Sequence, residues 1–268
     1  MLARALRILF RGPAQTFARQ MLRFDSAVGA HSLPEGARVT QREYVREVRI
    51  FGADLVPAGP ILALSNHPGM TDTLSLFIAL NRLDLKIIAL QRPFLESIPH
   101  VAERLFFLTD DSAQRVSLVR KVSGHLRAGG AALTFPAGRI EPDPDLYPGA
   151  LESLNDWTDS VGVFIRLAPE TAVVPVLVRN VIWKATAHHP LLVIKKTRED
   201  KEKLAAALQL LAMVMFKIKP VSVTVQFGKP ITVKELGTTD TQTIHRAVLA
   251  EMKCLIENPP RDKGINVL

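Results

Sequence analysis

Short, almost unbroken apolar runs alternate along this chain with longer stretches in which apolar residues recur every three or four positions. Residues 48–51, 61–65, 85–90, 131–135, 172–178 and 222–227 have the length and aliphatic content of strands. Residues 72–80, 112–128, 161–167, 204–216 and 241–257 read as helices, and 93–104 as a short helical crossover. The segment 112–128 illustrates the reasoning. Val116, Val119 and Leu126 share one side, Arg115, Arg120, Lys121 and Arg127 lie elsewhere, and Gly129-Gly130 stops the helix. Strands that alternate with helices in this way predict an α/β fold, a mixed and largely parallel sheet flanked by helices. An N-terminal helical region is expected to about Phe24, followed by a Gly/Pro-containing connection through Gly36.

The organisation that follows is an N-terminal basic amphipathic helix and connection (1–36), an α/β domain (37–235), and a C-terminal helix and tail (236–268). The tail, beginning Asn258-Pro-Pro-Arg, reads as a disordered end. No internal repeat or low-complexity segment interrupts the pattern. The longest apolar run, 204–216, includes Gln209 and is bracketed by Lys203 and Lys217. It falls short of the roughly 20 residues that cross a bilayer core. The charged run before it, Lys195 to Lys203, reads as solvated surface.

Composition narrows the function classes. With 268 residues and 47% hydrophobic content the chain can bury a substantial core. Its one cysteine, Cys254, excludes an internal disulfide framework and reads as a packed thiol in the last helix. No Cys/His spacing suits a metal, and the adjacent His188 and His189 read as surface or structural residues. The net charge of +8 calls for an acidic partner. Nucleic acid fits poorly, because there are two Trp, two Tyr and no recognisable nucleic-acid-binding signature. A phospholipid surface or a phosphate-rich carrier fits better. At the N-terminus Arg4, Arg7 and Arg11 line one helical face and Leu2, Leu6, Leu9, Phe10 and Phe17 the other, with no acid before Asp25. Such a segment can lie in a membrane interface or pack on the domain behind it. Arginines interrupt the apolar stretch, which speaks against a signal peptide.

The chemistry is concentrated in two strand ends. After the strand 61–65 comes Asn66-His67-Pro68-Gly69-Met70-Thr71-Asp72, which places an imidazole just past a strand and a carboxylate in the first turn of a helix. A carboxylate on one ring nitrogen fixes the tautomer and raises the basicity of the other, as a general base for a hydroxyl requires. After the strand 131–135 comes Phe135-Pro136-Ala137-Gly138-Arg139, a turn that presents a cation. Two such loops suggest one crevice at the carboxyl edge of a sheet. A Gly-x-Ser-x-Gly elbow, a P-loop and a dinucleotide fingerprint are all absent.

These blocks resemble those of the glycerophospholipid acyltransferase family, which includes the glycerol-3-phosphate and 1-acylglycerol-3-phosphate acyltransferases. Residues 66–72 match its Asn-His-x4-Asp block, 135–139 look like its Phe-Pro-Glu-Gly-x-Arg block, and Val174-Pro175-Val176 fits its Val-Pro-Val block. The resemblance extends over roughly residues 45–230. Two departures stand out. Ala137 occupies the place of the family's glutamate, and Arg139 follows Gly138 directly. The intermediate block, a strand ending in an acid-arginine pair, is only partly present. Residues 105–111 supply a strand and acids, but the next arginine is Arg115. Branches that acylate other acceptors, ornithine lipids among them, resemble the Phe-Pro-Ala-Gly form.

The resemblance implies a membrane-associated acyltransferase without cofactor or metal. The donor would be acyl-CoA or acyl-carrier protein, and the acceptor a lysophospholipid, glycerol phosphate or related lipid. The place of action would be cytoplasmic, peripheral or monotopic on the inner face of a membrane. His67 and Asp72 would be catalytic, and Asn66, Phe135, Pro136, Gly138, Arg139 and Arg115 would bind substrate, with Glu141 in part replacing the missing glutamate. Two alternatives remain open at this point: a non-catalytic lipid-binding homologue, and an acyltransferase for a non-phosphate acceptor such as an ornithine lipid.

Overall fold

The computed structural model describes residues 2–268, with side chains from Phe10 onward. Eight strands form one sheet: β1 Glu47–Phe51, β2 Ile61–Ser65, β3 Lys86–Leu90, β4 Leu105–Leu108, β5 Ala131–Thr134, β6 Ala172–Arg179, β7 Ser222–Phe227 and β8 Ile265–Asn266. Their order is β4-β3-β5-β2-β6-β7-β1-β8. The five strands from β4 to β6 are parallel, β7 runs antiparallel to β6, β1 parallel to β7, and β8 antiparallel to β1. The expected mixed, largely parallel sheet with flanking helices is what the chain forms.

Alternation along the central strands explains why helices cover both faces. In β2, wholly buried, Ile61 and Ala63 join one core cluster while Leu62 and Leu64 join the other. In β6, Val174, Val176 and Val178 point to the first layer and Val173 and Leu177 to the second. Strands buried on both sides must read as continuous apolar runs, which is how they appear in the sequence. The first layer comprises α1 (Leu2–Ala30), α2 (Leu33–Tyr44), α3 (Met70–Leu80) and part of the helix Arg198–Phe216. The second comprises the helices Ser112–Arg127, Ser160–Leu167 and Thr241–Glu257. Pro175 lies between the β7 ladder at Val176 and the isolated bridge at Val173, a break that tolerates a missing N–H.

Several local expectations are corrected. The N-terminal helix runs on to Ala30, and the connection expected through Gly36 ends at Ser32, whose hydroxyl accepts the Glu35 N–H and starts α2. Polar α2 escapes a hydrophobic-periodicity reading because its buried face is built partly from Gly36, Thr40 and Gln41. The crossover 93–104 holds two single turns, Pro93–Glu96 and Pro99–Ala102. The helix expected from residue 204 begins at Arg198, capped by Thr197, so the charged residues 198–203 form its first turns and stay largely exposed. The C-terminal tail is ordered. Ile265–Asn266 pairs with β1, and the Val267 N–H donates to the Val48 carbonyl at 3.0 Å. Cys254 is exposed rather than packed, because its helix buries the positions of Ile244, Val248, Met252 and Leu255 instead. The expected basic face at Arg4 and Arg7, and the apolar positions Leu2, Leu6 and Leu9, lie outside the described side chains.

Candidate active site

β2 delivers His67 at its carboxyl end, and α3 leaves along the first layer. From the end of β5, beside it, the chain crosses by way of the helix Ser160–Leu167 to the second layer. Connections that diverge to opposite faces open a crevice at the strand ends. Asn66 closes its base. Its side-chain oxygen accepts the Val178 N–H at 2.8 Å and its amide donates to the Val178 carbonyl at 2.9 Å, which ties β2 to β6 just before His67.

His67 and Asp72 meet. His67 Nδ1 lies 2.8 Å from Asp72 Oδ2. Asp72 is fully buried, while the His67 side chain keeps 28% of its exposure. The carboxylate stands at the third helical position of α3, where it also accepts the Gly69 N–H at 2.9 Å, the Thr73 hydroxyl at 3.0 Å and the Thr73 N–H. A buried charge held by four donors at a helix N-terminus keeps one orientation. It therefore assigns the proton to Nδ1 and leaves Nε2 free of partners among the described residues. Burial disfavours a charged imidazole here, but the charge and hydrogen bond of Asp72 and the charge of Glu141 outweigh it. The His67 pKa is accordingly raised above its ordinary value. The Phe135 ring packs against the imidazole, with centroids 4.6 Å apart.

Glu141 holds the loop from behind. Its carboxylate accepts the His67 N–H at 3.2 Å, the Trp157 indole N–H at 2.8 Å and the Ser153 hydroxyl at 3.2 Å. The Glu141 N–H in turn donates to the His67 carbonyl at 2.9 Å. Burial pushes the Glu141 carboxyl up to about 7, against the lowering influence of these donors. Two residues on, buried Asp143 accepts the N–H groups of Asn180, Val181 and Ile182 and fixes the exit of β6 in the same manner. The loop rich in proline and acid thus clamps both strand exits. Trp157, Ser153 and Asp143 were missed from the sequence. The signal available was the Glu-Pro-Asp-Pro spacing directly after the arginine turn.

His67 lines a cavity of about 880 Å³, at the upper end of the range of small-molecule sites. Met70, Leu74 and Phe77 of α3 form one wall, Ile87 and Leu105 of β3 and β4 a second, and Met21 and Phe24 of α1 with Leu210 and Met213 of the helix Arg198–Phe216 close it over. Three cations reach this lining: Arg92, Arg139 and Lys203. Arg139 pairs with exposed Asp156 and Lys203 with Glu199, whereas Arg92 has no ion pair among the described residues. No cluster of metal-ligating residues occurs among the described residues.

The remaining residues expected at the site divide clearly. Phe135, Gly138 and Arg139 line the cavity with His67. Asn66 and Pro136 are buried beside it and shape the loops without joining the lining. Arg115 is not brought in: it is exposed, donates to the Thr109 carbonyl and faces Asp110, because its helix starts beyond the end of β4 at the outer margin of the sheet. Arg92, at the start of the crossover after β3, is the cation that sequence reasoning overlooked.

No known family profile matches the chain, and no curated protein matches it. Among solved structures, the fold is similar to that of the 1-acyl-sn-glycerophosphate (LPA) acyltransferase PlsC from Thermotoga maritima, with a TM-score of 0.50. The two chains are 16% identical, and the similarity covers 86% of this chain and 79% of that one. The likeness is one of fold: the chain shares the architecture of that solved structure.

Proposed function

We propose that the protein transfers a fatty acyl group from a thioester donor, acyl-CoA or acyl-carrier protein, to a lysophospholipid, glycerol phosphate or related lipid acceptor at a membrane surface. One observation carries this reading: a histidine oriented by a buried aspartate at 2.8 Å opens onto an apolar cavity large enough for an acyl chain. His67 Nε2 takes the proton from the acceptor hydroxyl as its oxygen attacks the thioester carbonyl. Asp72 stabilises the imidazolium that forms. The tetrahedral adduct collapses with cleavage of the C–S bond, and the departing thiolate recovers the proton from the imidazolium. The amides of His67, Gly69 and Gly138 are already engaged, so the donors for the oxyanion fall to other groups of the two turns.

Glu141 in part replaces the glutamate that Ala137 displaces from the turn, and it holds the backbone of the base itself. Arg139 and Arg92 anchor the anionic headgroup or the carrier's phosphate, and a guanidinium fork suits either. Arg115 stands apart, so the anchor differs from the arrangement the family resemblance implied. No helix among the described residues is long and apolar enough to cross a membrane, and we place the protein peripherally, on the cytoplasmic face. Incubation with labelled acyl thioester and a panel of lysophospholipids, glycerol phosphate and ornithine-derived acceptors, read by product mass spectrometry, tests the reading. An acylated lipid product that disappears in His67→Ala supports it. Binding of lipid with no product in any arm would favour a non-catalytic lipid binder.

A further inference from the structure

From Thr171 to Arg198 the chain contains no acidic residue. Within this stretch the single turn Pro190–Ile194 holds Leu191, Val193 and Ile194 in solvent, at 49%, 73% and 70% exposure. The turn is not loose. Leu192 points inward and is buried, the His189 ring accepts the Leu191 N–H at 3.2 Å, and the Lys195 N–H closes back on the Leu192 carbonyl at 3.1 Å. Single exposed aliphatic residues are ordinary. Three on one capped tip, with nothing packed over them, are not. Lys195 and Lys196 follow directly in the chain, and neither makes an ion pair among the described residues. A short apolar tip that runs directly into two unpaired ammonium groups matches the boundary between acyl chains and phosphates in an anionic bilayer.

Its place in the chain links it to the cavity. Val181 and Ile182, which precede the turn, and Lys203, which follows it, all line the cavity that holds His67. We propose that residues 190–196 are a membrane-contact element, seating Leu191, Val193 and Ile194 among the acyl chains of an anionic bilayer while the lysines meet its phosphates. A lipid leaving that bilayer then reaches the base with little exposure to water. The proposal rests on the lipid-acceptor reading only for its choice of a bilayer as partner.

Co-sedimentation of the full chain with vesicles of phosphatidylcholine, with and without phosphatidylglycerol, tests it. Replacing Val193→Asp and Ile194→Asp together should lower partitioning by at least about tenfold, since each removes a large aliphatic group from the lipid. Both side chains are solvent-exposed, so the melting temperature should not change. Lys195→Glu with Lys196→Glu should lower partitioning by roughly tenfold on phosphatidylglycerol vesicles and little on neutral ones, with a gain in salt sensitivity absent. Turnover of a short-chain, water-soluble thioester and acceptor should be the same in all variants. If the aspartate variant partitions like wild type, the turn is not the contact, although acyl transfer stands. If wild type binds neither vesicle, peripheral membrane attachment falls with it. If the aspartate variant instead converts a dimer to a monomer in sedimentation velocity, the tip is a self-association surface and the proposal is overturned.

Discussion

Replacing Asp72→Asn gives the sharpest test of the dyad, because the change is almost isosteric and its consequences can be counted from the hydrogen bonds. The wild-type carboxylate accepts from four donors: His67 Nδ1, the Gly69 N–H, and the N–H and hydroxyl of Thr73. An amide has one accepting oxygen. If that oxygen serves Thr73, the NH2 faces His67 and Gly69. The imidazole must then accept at Nδ1, and Nε2, the atom that should take the acceptor's proton, carries hydrogen instead. If the oxygen serves His67, the Thr73 N–H is left buried against a second donor. In the first arrangement the base is in the wrong tautomer, and the loss of general-base catalysis should lower kcat by ~10²–10⁴. In either arrangement unsatisfied donors cost about 1–3 kcal/mol each, and each 1 kcal/mol corresponds to a fall in Tm of about 2–4 °C in a chain near this size. Because Asp72 contributes to the raised His67 pKa, the acidic limb of the residual pH profile should move to lower pH. The assay is thiol release from an acyl thioester in the presence of acceptor, checked by product mass so that hydrolysis is counted separately. An Asp72→Asn enzyme with wild-type kcat and an unmoved acidic limb would refute the assignment of Asp72 as the partner of the base.

The other predictions address the surroundings of the dyad. Glu141→Gln sets an amide NH2 against either the His67 N–H or the Trp157 indole, and kcat should fall by about tenfold or more with far-UV circular dichroism unchanged; wild-type kinetics in this variant would remove Glu141 from the positioning role. Glu141, raised from 4.5 to about 7, takes up its proton in the native state first, and His67, raised above 6.5, keeps its proton longer in the native state. Both groups therefore bind more protons folded than unfolded: the Glu141 contribution to stability increases as pH falls from about 7 toward 5, whereas that of His67 increases as pH falls through its raised value and is complete below about 6.5; thermal melts from pH 7 to 5 should show less of this gain in Glu141→Gln. Arg139→Ala should raise the KM for an anionic acceptor and leave kcat at saturation nearly intact, and a pure kcat loss would contradict anchoring. Leu74→Trp or Phe77→Trp fills the cavity wall, and competition between acyl donors should shift in favour of shorter chains.

The legible parts of this fold were those in which one physical demand dominated. Strands buried on both faces, such as β2 and β6, have to be aliphatic throughout, and their limits were evident within a residue or two. The helix Ser112–Arg127 announced itself by periodicity and by the glycines that follow it. α2 did not, because its inward face is made of Gly36, Thr40 and Gln41, whose burial is compensated by hydrogen bonds such as those from the Gln41 amide to the Thr71 carbonyl and the Ser75 hydroxyl. Local pattern does not contain partners thirty positions away. The same distinction separates the residues of the site. His67 and Asp72 are neighbours in sequence, so a strand-to-helix turn was enough to bring them together. Arg92 and Trp157 reach the cavity and the loop behind it only through the order of the strands. Arg115 was placed by analogy of block order, and an exposed position beyond β4 keeps it apart.

The pairing of Ile265–Asn266 with β1 makes the last residues a latch. Arg38 Nε holds the Val267 carbonyl, Arg49 reaches the Lys263 carbonyl, and Val267 and Leu268 rest on the first layer of the core. Prising that latch open would bare the backbone of β1 along a sheet otherwise closed on that flank, and a bared strand recruits whatever extended peptide is at hand. A proteolytic nick within 259–264 would therefore change how these molecules associate with one another long before it reached the chemistry at the end of β2, in the middle of the strand order.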